Sequence, residues 1–135
     1  MNALLLVVLG VGSGLAGILL FKLQPARERQ LYAIGLIVAA IIYVGFAMYG
    51  DGPKWVGSEL LGLVVYGAMA VAGWRGSMWW LALGWATHAL WDIVVHGAHT
   101  PFAPRPYAIW CAAVDVTFGV YIAWRLRTAR SFRLD

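Results

Sequence analysis

The chain is short of charge, of cysteine and of anything resembling a soluble surface. Only 12% of its 135 residues are charged, against 62% hydrophobic, and its mean hydropathy is +0.76. That composition excludes an ordinary soluble domain and indicates a polytopic membrane protein. There is one cysteine, Cys111. It excludes a disulfide within the chain and a zinc site or thiol relay made of cysteines. On its own it reads as a small apolar helix residue. No basic residue precedes Lys22. A cleaved leader begins with a basic segment, so the apolar start is expected to be a permanent first span. There is no low-complexity stretch, no convincing internal repeat and no His-Glu-x-x-His motif.

Five apolar runs remain, at about 3–21, 31–49, 57–74, 78–97 and 107–124, each near the roughly 20 residues a spanning helix needs. The prolines lie between the runs, at 25, 53, 101, 104 and 106. The runs are continuous rather than alternating, and backbone groups in lipid must be satisfied within their own segment, so helices are expected. The reading is therefore all-α: a single five-helix transmembrane bundle over residues 1–135, with a basic tail at 125–135.

The net charge of +4 reflects where the basic residues sit rather than affinity for nucleic acid, which is not expected as a partner. Lys22, Arg27, Arg29, Arg75, Arg125, Arg127, Arg130 and Arg133 fall on one side of a five-span chain, and Lys54 and Arg105 on the other. The positive-inside rule then puts the N-terminus outside and the C-terminus in the cytoplasm of a cell inner membrane. Trp55, Trp74, Trp79, Trp80 and Trp124 sit at span ends, where amphipathic rings prefer the interface. Gly10-x-x-x-Gly14 in the first span permits close helix packing, either within the chain or in a homo-oligomer.

The stretch from Trp85 to His99 carries the chemistry. It holds all three histidines and one aspartate inside an apolar run. At about 100° per residue, His88, Asp92, His96 and His99 fall at about 0°, 40°, 80° and 20°, with Trp85 at about 60°. Ionisable groups at membrane depth cost roughly 2.5–3.5 kcal/mol each on insertion scales, so they mark a function or a specific buried partner. Asp115 in the fifth run and Glu59 in the third are the natural partners, with Tyr66 on nearly the same face as Glu59. In the outward-N orientation these groups can meet in the outer half of the bundle.

Several chemistries suit this set. A carboxylate beside a histidine can hold complementary protonation states and move protons on a lipophilic small molecule, by isomerisation, cyclisation or hydrolysis. In that reading Asp92 and His88 form the central dyad, Asp115 and Glu59 are partner carboxylates, and His96 is a second base. Trp85, Trp91, Tyr66, Trp110 and His99 then line the substrate site. No cofactor is expected. The alternative is a divalent ion on Asp92, His96 and Glu59, since His88 and His96 are about 12 Å apart along a helix axis and cannot share an ion. Haem lacks a second axial histidine on another helix. Competing readings are a non-catalytic lipid- or pigment-binding subunit, a small proton- or ion-conducting oligomer, and a purely structural polar network.

The pattern Trp85-x-x-His88-x-x-Trp91-Asp92-x-x-x-His96 resembles a family of small bacterial multi-span membrane proteins of unknown function, which implies the fold and no activity. A looser similarity is to small integral-membrane terpene cyclases and sterol isomerases, whose buried carboxylates also come from different helices; Glu59, Asp92 and Asp115 are of that type.

Overall fold

The computed structural model describes residues 1–50, 53–96 and 102–129. Its described residues form five helices and no strand: α1 (Ala3–Lys22), α2 (Glu28–Tyr49), α3 (Val56–Arg75), α4 (Trp79–Trp91) and α5 (Arg105–Ala129). A short 3₁₀ turn, Pro53–Trp55, leads into α3. Three helices and the turn-plus-α3 segment satisfy length and composition for membrane crossing: α1, α2, residues 53–75 and α5. The fourth run differs from expectation. Its α-helix covers 13 residues and then opens into a π turn, Asp92–His96. The angular positions assigned from a uniform α-helix therefore hold only as far as Trp91.

Helices α1 and α3 each bury a single stripe, whereas α5 packs on two faces, against α4 and against α1. In α1 the stripe is Leu6, Gly10, Gly14 and Ile18, and in α3 it is Glu59, Gly62, Tyr66, Ala70 and Gly73. These spacings of three and four residues place the stripe on one face. The opposite faces carry exposed leucine and valine, such as Leu4, Leu19, Leu61 and Val64. A soluble protein avoids that pattern; a helix in lipid requires it, because lipid tails are as apolar as the side chains.

The neighbours run α1, α5, α4, α3, α2 around the bundle, with α2 also touching α4. Small residues set these contacts. A Cβ on Gly10 would lie 2.6 Å from Ala113 Cβ, and one on Gly14 would lie 2.8 Å from Thr117 Cβ. The glycine face of α1 is thus spent on α5 within the chain. A Cβ on Gly119 would meet the backbone of α4 at Ala86 N (3.2 Å) and Ala82 O (3.3 Å). This close approach, one turn beyond Asp115, brings α5 near enough for its side chains to reach those of α4. The apolar core gathers Tyr32, Leu36, Leu81, Trp85, Phe118 and Ile122.

Candidate functional site

Five buried polar or charged residues come together beyond that core: Glu59, His88, Asp92, His96 and Asp115, each at most 2% exposed. They arrange as two histidine–carboxylate pairs. His88 Nδ1 lies 2.6 Å from Asp115 Oδ2. The separation is that of a short, strong hydrogen bond. Asp92 Oδ1 stands 3.6 Å from the same nitrogen. Cys111, one turn before Asp115 on α5, points its thiol at Asp115 Oδ1 across 3.9 Å. His96 Nε2 is 3.4 Å from Glu59 Oε2, joining the π turn to α3.

Aromatic rings tie the two pairs together. Tyr43 stacks on His96 with ring centroids 3.9 Å apart and planes 3° from parallel. The same ring lies 5.9 Å from His88. Tyr66 meets His88 edge to face at 4.8 Å, and its hydroxyl donates to the Thr87 carbonyl at 3.1 Å. Tyr43 also lies beside Asp92, and Tyr107 beside Cys111. A cleft between α2, α3 and α4 is lined by Tyr43, Glu59, Gly62, Tyr66, His88 and Trp91. The side chains close on one another so tightly that it leaves no room for a water molecule.

The electrostatics are lopsided. Asp92 and Asp115 share one histidine, and no lysine or arginine pairs with either among the described residues. Asp92 is fully buried; the Tyr43 hydroxyl and the Cys111 thiol lie beside it, and neither of its oxygens has a well-aligned hydrogen bond among the described residues. A carboxylate so placed is costly unless it is protonated or compensated.

Among the expected lining residues, Tyr66 and Trp91 face the cleft and two do not. Trp85 turns toward the apolar core, packing on Phe118 at 4.8 Å and on Gly35. Trp110 lies on the α1 side of α5, where its indole donates to Ser13 Oγ at 3.2 Å. For both, the neighbouring helix decided the direction: α4 also packs against α5 and α2, and α5 also packs against α1. His99 falls outside the described residues. The expected chelate of Asp92, His96 and Glu59 is not the compact donor set. Asp92 groups instead with His88, Cys111 and Asp115, whose ligand atoms all lie within 4.8 Å of one another. Cys111 and Tyr43 were not among the expected site residues. The signal for Cys111 was its spacing of four residues from Asp115.

The sequence pattern of DUF6010, a family of unknown function, matches residues 5–131. The chain belongs to the DUF6010 family. No match was found among curated proteins or among solved structures. The buried cluster of this DUF6010 protein is therefore read from its own geometry, and the match covers all of its described members.

Proposed function

We propose that this protein is a multi-pass inner-membrane protein whose buried histidine–carboxylate cluster carries out acid–base chemistry on a lipophilic small molecule of the isoprenoid or lipid class. The observation that carries the reading is the short His88–Asp115 contact beside Asp92, with a second pair, His96–Glu59, nearby; His88 and Glu59, one from each pair, line the same cleft. One protonated group can give a proton to an alkene carbon while a carboxylate on the other side takes one from a neighbouring carbon. The double bond then shifts, and the site is left with its protonation states exchanged. Protonation followed by ring closure, or activation of water, uses the same groups. Asp92 and His88 are the central dyad, Asp115 and Glu59 the partner carboxylates and His96 a second base. Tyr66 and Trp91 are the apolar contacts.

The closed cleft makes entry a side-chain event. Trp91 is only half-buried and covers the cleft, and Gly62 behind it presents no side chain, so rotation of the indole admits a flat apolar molecule from the lipid side. In the proposed orientation all five helical segments cross, the N-terminus is outside, and the cluster lies in the outer half of the bundle. The test is conversion of native membrane lipids by purified protein in heavy water. Wild type should consume a lipid or place deuterium in one. Absence of both overturns the proposal.

A further inference from the structure

The donor set around Asp92 has the make-up of a metal site. We propose that His88, Asp92, Cys111 and Asp115 bind one divalent transition-metal ion of borderline softness, with zinc the best match. The inference rests on the same cluster as the acid–base reading and redistributes its roles: His88, Asp92 and Asp115 act as ligands in the metal-bound protein and as the proton-moving groups in the metal-free one. The ion takes the place of protons among the two carboxylates, and His96–Glu59 is then the pair left to move protons.

The first argument is helix geometry. His88 and Asp92 are separated by four residues on α4 and its π turn, and Cys111 and Asp115 by four residues on α5. Within each pair the side chains meet, at 3.6 Å for His88 and Asp92 and at 3.9 Å for Cys111 and Asp115. With the helices held close at Gly119, two facing pairs form a four-cornered set. Their ligand atoms lie within 4.8 Å of one another, and all four residues are buried. A tetrahedral ion at the usual zinc bond lengths of about 2.0–2.3 Å spaces its donors about 3.3–3.8 Å apart. Three of the contacts within the set measure 2.6, 3.6 and 3.9 Å and none of its ligand atoms is more than 4.8 Å from another, so side-chain shifts of roughly an ångström bring the donors to that spacing.

The second argument is the Asp92 carboxyl group. Asp92 is fully buried in the cluster, with Tyr43 and Cys111 beside it but no well-aligned hydrogen bond on either oxygen among the described residues. Two buried carboxyl groups facing one histidine must keep protons or take up a cation, and one dication can serve both. The third is donor chemistry. One imidazole, one sulfur and two carboxylate oxygens suit zinc, whereas magnesium or calcium would call for oxygen ligands throughout.

Purified full-length protein in detergent, loaded with zinc chloride and dialysed, should retain zinc equimolar with the chain. Cys111→Ser and Asp92→Asn should each weaken retention at least tenfold, by analogy with losses seen on perturbing metal shells. Glu59→Gln, outside the donor set, should leave it unchanged. Cobalt loading should give a thiolate charge-transfer band in wild type that Cys111→Ser abolishes. Cys111→Ser is near-isosteric, and a circular dichroism spectrum matching wild type excludes misfolding as the cause. Wild type that retains no zinc, or variants that retain it equally, overturns the metal site. The two readings separate cleanly. Zinc-free protein that still converts lipid keeps the acid–base reading and removes the metal, and zinc-bound protein inert toward lipid does the reverse.

Discussion

His88 holds the cluster together. Its Nδ1 faces both Asp115 and Asp92. Removing it leaves Asp115 and Asp92 without the buried ring that both face. For protein without a bound ion, His88→Ala should cost about 2–5 kcal/mol, from the cavity it opens and the buried Asp115 carboxyl it leaves unpaired. Asp115→Asn keeps the volume and a hydrogen-bonding group and should cost less, about 1–3 kcal/mol. Reversible unfolding in mixed micelles measures both, and a His88→Ala protein as stable as wild type would refute the network's structural role. At this scale the sequence was informative about residue types. His88, Asp92 and His96 stand out because nothing polar surrounds them, and Asp115 and Glu59 because each is alone in its apolar run. The pairing was not readable. Whether Asp115 meets His88 or His96 depends on how far α5 slides along α4, which Gly119 and the backbone of Ala82 and Ala86 set. A single cysteine says nothing of a partner in the sequence; the place of Cys111 in the cluster follows from its position one turn before Asp115 on α5.

The helices illustrate which features local pattern can and cannot reveal. The runs of apolar residues located the first, second and third helices to within about three residues and the fifth to within five, whereas the fourth helix ends at Trp91, well short of the run's expected end at 97. The π turn at Asp92–His96 had no mark in the sequence, since no glycine or proline lies within it. π turns insert where tertiary contacts demand a changed register and often mark functional sites. Here the turn carries two of the cluster's residues, Asp92 and His96. The α1–α5 contact yields a sharp prediction. Gly10→Ala forces a Cβ to 2.5 Å from the Trp110 carbonyl oxygen, whereas Gly12→Ala meets nothing within 4 Å. The first should lose about 1–3 kcal/mol, as overpacked substitutions do, and the second should stay near wild type. Melting temperatures in detergent distinguish them; equal losses would mean that α1 does not pack on α5 through this face.

For the whole molecule, charge asymmetry and packing order support one another. Arg125 at the end of α5 pairs with Glu28 at the start of α2 at 2.7 and 2.8 Å. Arg29 reaches the carbonyl of Trp74 at 3.4 Å, so the ends bearing most of the basic residues are neighbours in space. The proposed orientation puts that end in the cytoplasm. In intact cells an impermeant maleimide should label Lys54→Cys and should label Ser77→Cys only after permeabilisation; the opposite pattern inverts the topology. Both positions are exposed, and the native Cys111 is buried. Fold class was legible from composition because a chain this apolar has few alternatives. Function was less so, because a family of unknown function lends no activity and the cluster must be read from its own distances.

The central claim is that this cluster moves protons on a lipophilic molecule. Purified protein, reconstituted in nanodiscs with lipids extracted from native membranes and incubated in heavy water, tests it by mass spectrometry. Wild type should consume one lipid species or enrich it in deuterium over time, and Asp115→Asn, folded to the same extent, should do neither. A lipid profile unchanged by wild type, or changed equally by Asp115→Asn, would contradict the account.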